Sequence, residues 1–270
     1  MESLEKVIGE GIILVDTNCL HPTRNTFLHY DKGETFLYPT GKTFLHPDNN
    51  TVGSILDLFN DTTLSDICPE EVKAYLNGLR LLNRLINDNP RVYFPRGVKV
   101  EYSSFINGLK YCRDKLPIKR RNYMKTAEEK LNLLSEYLKI AREISKKISK
   151  RKILRFSEEQ EEMYRRIFDF LVNEERVEKF RSEHFQDLNS KINHNNRTTD
   201  EELVAHGIVL AHYSLVKILS DDSDVGLLVA IVRNIPEILS LNRELLAENL
   251  QVYRKKDGLL EISSIASRTF

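Results

Sequence analysis

Hydrophobic positions along this chain fall into two patterns: short unbroken apolar runs, and longer stretches with apolar residues at helical spacing. The first run, Gly11-Ile12-Ile13-Leu14-Val15-Asp16-Thr17-Asn18, ends in an acid and a polar turn. A short apolar run closed by a turn signal reads as a buried strand of a parallel sheet. Residues 92–94 (Val-Tyr-Phe) read as a second strand, and the apolar run 225–232 as a third. Leu250–Tyr253 and Leu259–Ile262 flank Lys255-Lys256-Asp257-Gly258, which has the character of a terminal hairpin.

Helical spacing fills much of the remainder. Residues 69–86 place Val72, Leu76, Leu79, Leu82 and Leu85 on one face, and Asp88-Asn89-Pro90 stops the run. A helix is expected from about 98 to 110. Residues 119–150 and 157–188 read as two long helices, in the manner of a helical hairpin. Thr199 or Asp200 caps a further helix expected to run to about Leu219. Residues 236–249 read as the last helix. Strands alternating with helices predict an α/β fold: a central, mostly parallel β-sheet with helices on both faces.

Two segments stand outside that plan. Residues 26–47 hold three near-copies, Thr26-Phe27-Leu28-His29, Thr35-Phe36-Leu37-Tyr38 and Thr43-Phe44-Leu45-His46, separated by glycine-containing turns. They read as a β-hairpin-like insert. Residues 111–195 read as a helical insertion or lobe, leaving 1–110 and 196–270 as the α/β domain.

Charge enters the picture through its distribution. Lys+Arg and Asp+Glu are equal at 40 each among 270 residues. Residues 109–155, however, carry 16 basic side chains against five acidic ones. Such asymmetry fits contact with a polyanion. Lys119, Arg120, Arg121, Lys146, Lys147, Lys150, Arg151 and Lys152 are the candidate phosphate contacts, and Tyr123 is a candidate base-stacking residue. The three cysteines are scattered, without zinc-ligand spacing, which fits a reducing cytoplasm. No apolar run approaches the roughly 20 residues of a membrane span, so no membrane partner is expected.

The candidate chemistry lies in acids at comparable places in this plan. Asp16 ends the first strand. Glu101 stands in the first turns of the helix after the second strand. Asp200 opens a later helix, with Glu201 and Glu202 beside it. In a parallel α/β sheet all three fall at the carboxyl edge of the strands, where ligands bind. Clustered carboxylates repel one another and are tolerated mainly where a cation compensates. An all-oxygen ligand set suits Mg²⁺ or Mn²⁺.

This order resembles the PIN-domain nucleases: an apolar strand ending in Asp-Thr-Asn, a central Glu on the helix after a strand, and an Asp opening a later helix. The resemblance covers about residues 8–28, 66–110 and 196–254. It implies a metal-dependent endoribonuclease that hydrolyses phosphodiester bonds in RNA. Asp16, Glu101 and Asp200 would be its catalytic and metal-holding acids, with Glu202 a further ligand. Thr17, Asn18 and Asn234 would position substrate. A homodimer or protein partner is left open. Such domains usually follow the third acid with a strand ending in Thr or Ser and then one or two Asp. With 225–232 as that strand, Val232 and Asn234 stand where acids are expected, while Asp222 and Asp224 precede the strand. That departure supports an alternative: a catalytically degenerate PIN-like scaffold that binds RNA or protein.

Other chemistries are absent from the sequence. There is no phosphate-binding Gly-x-x-x-x-Gly-Lys-Ser/Thr loop, no Gly-x-Gly-x-x-Gly after a strand, and no Gly-x-Ser-x-Gly elbow. His206 and His212 lie six apart on one expected helix, so they do not share a face and read as structural.

Overall fold

The structure is a computed structural model. It describes residues 10–16, 19, 76, 79–80, 82–84, 86–100, 102–103, 106–107, 110, 126–150, 155–173, 175–184, 199–220, 223–235, 243–256 and 259–267. The chain divides into two compact units. One comprises residues 1–19, 89–98 and 151–270, and the other residues 20–88 and 99–150.

The first unit is built on five strands: β1 (Ile12–Val15), β2 (Val92–Tyr93), β3 (Val216–Leu219), β4 (Leu250–Lys256) and β5 (Leu259–Ile262). Their order is β2-β1-β3-β4-β5. The first four run parallel, with Ile13 opposite Val92 and Lys217, and Lys217 opposite Gln251. β5 returns antiparallel to β4, with Tyr253 opposite Ile262 and Lys256 opposite Leu259. The hairpin expected at the end of the chain is therefore present, and its first strand also joins the parallel sheet. The fold is α/β with a central, mostly parallel sheet, as the alternation of elements implied.

β1 and β3 are central, and apart from half-buried Ile12 their side chains are buried on both faces. Leu14, Val216, Ile218, Leu250 and Val252 share one core with helices α4 (Thr199–Ala211) and α5 (Ser223–Asn234). Ile13, Val15 and Leu219, at alternating positions, point to the opposite face and are buried there. Full burial of an aliphatic side chain contributes about 1.5–3 kcal/mol, so the sheet centre and the helices packed on it contribute together to the unit's stability.

Two sequence expectations fail here, for one reason. Residues 225–232 form no strand; they lie within α5. The strand that follows α4 is β3, in residues assigned from the sequence to the end of that helix. Every residue from Val225 to Val232 except Gly226 is a buried apolar residue of the core. A helix buried all round loses the polar face that gives helical spacing its signature, and so it reads as a buried strand. β3 is four residues long and carries Lys217 in its middle, which hides it against the apolar helix before it.

Helices α2 (Glu158–Asn173) and α3 (Glu175–His184) also belong to this unit. Ser157 opens α2 with a reciprocal cap. Its N–H donates to Gln160 Oε1 (3.0 Å), and the Gln160 N–H donates to Ser157 Oγ (3.3 Å). Ile167, Phe170 and Leu171 of α2 enter the same core as α4 and α5. The expected 111–195 lobe is therefore divided: α2 and α3 complete the α/β unit. The helix before them, α1 (Thr126–Lys150), belongs to the second unit. A short α6 (Arg243–Asn249) precedes β4.

The described part of the second unit is helical. α1 buries Tyr137, Leu138, Ala141, Ile144 and Ile148, which recur at helical spacing, and exposes Glu136, Lys139, Glu143 and Lys146. Lys147 Nζ donates to Asn83 Oδ1 (2.6 Å), and Arg80 pairs with Glu136. The 26–47 insert lies outside the described residues. Among the described residues, no helix is long and apolar enough to cross a membrane.

Candidate active site

In the order 2-1-3-4-5 the chain winds one way from β1 to β2 and the other way from β3 onward. The reversal falls between β1 and β3, and crevices at such switch points, beyond the strands' carboxyl ends, are where α/β sheets bind ligands. Asp16 immediately follows β1 and Ser220 immediately follows β3. The ladder continues one step past each strand: Asp16 N–H donates to the Leu219 carbonyl (2.9 Å), and Ser220 N–H to the Tyr253 carbonyl (3.0 Å).

That extension brings two buried side chains together. Ser220 Oγ donates to Asp16 Oδ2 at 2.6 Å. Asp16 is 3% exposed and Ser220 0%. A carboxylate taken out of water is destabilised unless donors or a cation compensate, and this short bond supplies one such donor to Asp16. Cys19, also buried, donates its N–H to the Asp16 carbonyl (3.2 Å) and closes the turn.

The helices bring further acids to this edge. α4 runs back along the sheet before β3, so its N-terminus lies at the carboxyl edge. Asp200, Glu201 and Glu202 occupy its first turn, where acids complement the helix dipole. α5 starts from the same edge directly after β3, with Asp224 in its first turn and one carboxylate oxygen of Asp224 buried. Between Ser220 and Ser223 the sequence holds Asp221 and Asp222, which lie outside the described residues.

Because the strand after α4 is β3, the acids that follow that strand are the ones after Leu219. The strand after α4 is Val216-Lys217-Ile218-Leu219, and it continues as Ser220-Asp221-Asp222. β3 leads into a Ser and two acids, an arrangement that residues 225–235 lack. Asp222 and Asp224 follow β3 instead of preceding the strand. The sequence did hold a signal for this: Ser220-Asp221-Asp222-Ser223-Asp224 before an apolar run is a helix-start signature.

Asn234 does not reach this edge. It ends the 12-residue α5, and a rise of about 1.5 Å per residue carries it to the amino end of the sheet. Its Nδ2 donates to the Ala230 carbonyl (2.8 Å). Neighbouring Arg233 turns inward. Its Nη1 donates to the Ala266 carbonyl (2.7 Å) and its Nη2 to the carbonyls of Leu246 (3.4 Å) and Leu250. Burial lowers its pKa from the ordinary value.

Glu202 is placed by its contacts. Its Oε1 accepts the Arg96 N–H (3.0 Å) and its Oε2 the Gly97 N–H (2.8 Å). Arg96 begins the helix after β2. One turn further along α4, His206 Nδ1 bonds the Glu202 carbonyl oxygen (2.7 Å). The His206 ring packs on Tyr164 (centroids 4.6 Å apart) and Phe156 (5.3 Å). Burial lowers the His206 pKa below its usual 6.5, with the charges of Glu202 and Glu161 opposing the shift. Burial likewise raises that of Tyr164. His212 Nδ1 bonds the Ile208 carbonyl oxygen (2.9 Å). Each histidine is thus tied to the α4 carbonyl four residues before it.

The other sequence candidates divide simply. Glu101, Thr17, Asn18, Lys119, Arg120, Arg121, Tyr123, Arg151 and Lys152 lie outside the described residues. Lys146 and Lys150 are exposed on α1, while Lys147 is half-buried and bound to Asn83. Among the described residues, no group of three His, Cys, Asp or Glu side chains is arranged to hold a cation. Ser220 is the residue sequence reasoning missed. It became visible only once β3 was correctly placed.

No protein-family model, no curated protein and no solved structure matches this chain.

Proposed function

We propose that the carboxyl edge of the sheet is the site of a divalent-cation-dependent endoribonuclease, with Asp16 as its central acid. One observation carries this reading: a carboxylate 3% exposed, at the switch point of the sheet, held by a buried serine hydroxyl from the adjacent strand. A carboxylate buried this far costs free energy, and a ligand-binding edge is one place where that cost has a use. Asp200 opens α4 at the same edge, and Ser220-Asp221-Asp222 restores the acid-bearing connection after β3. The scaffold alternative rested on Val232 standing where an acid belonged, and that basis is gone, because Val232 lies inside α5.

The donor set fits Mg²⁺ or Mn²⁺, since it consists of carboxylate oxygens without thiolate or imidazole. Asp16 and Asp200 would hold the ion, with Asp221, Asp222 or Asp224 as a further acid. Such an ion lowers the pKa of a bound water and stabilises charge developing on a phosphate. The chain's own contribution is orientation. The Ser220 hydroxyl fixes one Asp16 oxygen, Oδ2, and the backbone ladder fixes the Asp16 main chain. Exposed Lys146 and Lys150 would contribute salt-dependent attraction for the RNA backbone.

The test is cleavage of a labelled structured RNA with Mn²⁺, with and without EDTA, by the wild type and Asp16→Asn. The reading requires cleavage that EDTA stops and that Asp16→Asn abolishes. RNA binding without cleavage, unchanged in Asp16→Asn, would return the scaffold reading.

A further inference from the structure

We infer that Glu202 is a positioning residue of this edge and not a cation ligand: it pins the turn of α4 that bears Asp200 to the start of the helix after β2. The inference rests on the cleavage reading above and corrects the ligand role that the sequence suggested for Glu202.

Both oxygens of the Glu202 carboxylate are engaged, one by the Arg96 N–H (3.0 Å) and one by the Gly97 N–H (2.8 Å). The first N–H groups of a helix have no partner within it, and its positive dipole end favours an anion. Usually a side chain from the residue just before the helix serves that need. Here the cap comes from a different helix, 105 and 106 residues away in sequence. It therefore works as a tie between two elements.

The space is shaped for this tie. A Cβ at position 97 would lie 2.6 Å from Glu202 Oε2 and 3.0 Å from both Oγ1 and Cγ2 of Thr199. Any side chain there would push the carboxylate and the α4 turn away, so glycine is needed for the approach. The backbone of Glu202 is held as well, through its carbonyl and His206 Nδ1 (2.7 Å), with the His206 ring packed against Phe156 and Tyr164. Asp200 stands two residues earlier. Positions two apart on a helix are rotated by about 200°, so Asp200 and Glu202 leave α4 in nearly opposite directions. Glu202 is directed to the Arg96–Gly97 turn, and Asp200 leaves α4 on its other side.

The experiment compares full-length wild type, Glu202→Ala, Glu202→Gln and Gly97→Ala, each at a temperature where circular dichroism shows it folded. Three quantities are read: amide hydrogen exchange at Arg96 and Gly97, Mn²⁺ affinity by electron paramagnetic resonance, and kcat for RNA cleavage. A positioning role requires Glu202→Ala to speed exchange at both amides and lower kcat by about tenfold or more. Glu202→Gln, which keeps an acceptor oxygen, should recover most of kcat. Gly97→Ala, which removes no acid, should reproduce the Glu202→Ala defect. Mn²⁺ affinity lost equally in Glu202→Ala and Glu202→Gln, with Gly97→Ala normal, would overturn the inference in favour of a ligand. Unchanged exchange and kcat in Glu202→Ala would overturn it outright. A wild type that binds Mn²⁺ but never cleaves would instead defeat the cleavage reading, and the positioning role with it, while exchange at Arg96 and Gly97 would still report the tie.

Discussion

At the amino end of the sheet, the chain closes largely through backbone groups. Ile12 N–H donates to the Leu215 carbonyl (2.8 Å), and Asn249 Nδ2 donates to the Ala211 carbonyl (2.8 Å) where α4 ends. Gly11 makes the turn into β1 with φ 88° against the Leu215 carbonyl, a conformation and a contact that a side chain would not tolerate. At the carboxyl end, acidic side chains do comparable work. Asp16 is buried against Ser220, and Glu202 ties α4 to the helix after β2. Packing alone does not require buried carboxylates, and among the described residues the amino end closes without them. The difference separates an end built for stability from an end that keeps costly charge in place.

Substitutions at the two ends should differ in kind. Gly11→Ala is expected to have the largest effect on stability, about 3 kcal/mol, through strain at positive φ and a clash with Leu215. Urea denaturation checks this, and Mn²⁺ affinity of the folded fraction should not change. Ser220→Ala should cost about 2 kcal/mol, the usual range for a buried hydrogen bond to a charged group, and should also lower cleavage. A Ser220→Ala protein that lost stability but cleaved RNA at the wild-type rate would blur the distinction between the ends. Asn249→Ala should cost about 1 kcal/mol by the same denaturation measurement and leave cation binding intact.

The smallest effect expected is a pH dependence. Burial against Phe156 and Tyr164 lowers the His206 pKa below 6.5 in the folded chain, so the unfolded chain binds the proton more readily. The stability that neutral His206 contributes is therefore complete above about pH 6.5 and is lost as pH falls from there through the folded-state pKa. Denaturation midpoints at pH 7 and pH 5 should fall further apart in the wild type than in His206→Phe. An equal fall in both would assign the acid sensitivity to other groups.

Much of the sheet could be read from the sequence, because β1 and the terminal hairpin carry the apolar runs and turn residues that mark strands. Asp16 could be read for the same reason: it closes the clearest strand in the chain. The centre of the plan could not. β3 is four residues with a lysine inside, following a helix as apolar as itself, and α5 is buried on every side. Spacing carries information only when one face meets water, and neither element has such a face. That single exchange of helix for strand set Asp222 and Asp224 before a strand that does not exist, put Asn234 at the wrong end and hid Ser220. Glu202 shows a second limit. An acid in the first turn of a helix looks the same in sequence whether it holds a cation or caps a helix 105 residues away.

The central claim is that the carboxyl end binds a divalent cation through Asp16 and the amino end does not. Mn²⁺ titration followed by electron paramagnetic resonance, on wild type, Asp16→Asn and Asn249→Ala, tests it directly. The expected result is saturable binding by the wild type and Asn249→Ala, weakened about tenfold or more in Asp16→Asn. Equal Mn²⁺ affinity in the wild type and Asp16→Asn would contradict the account.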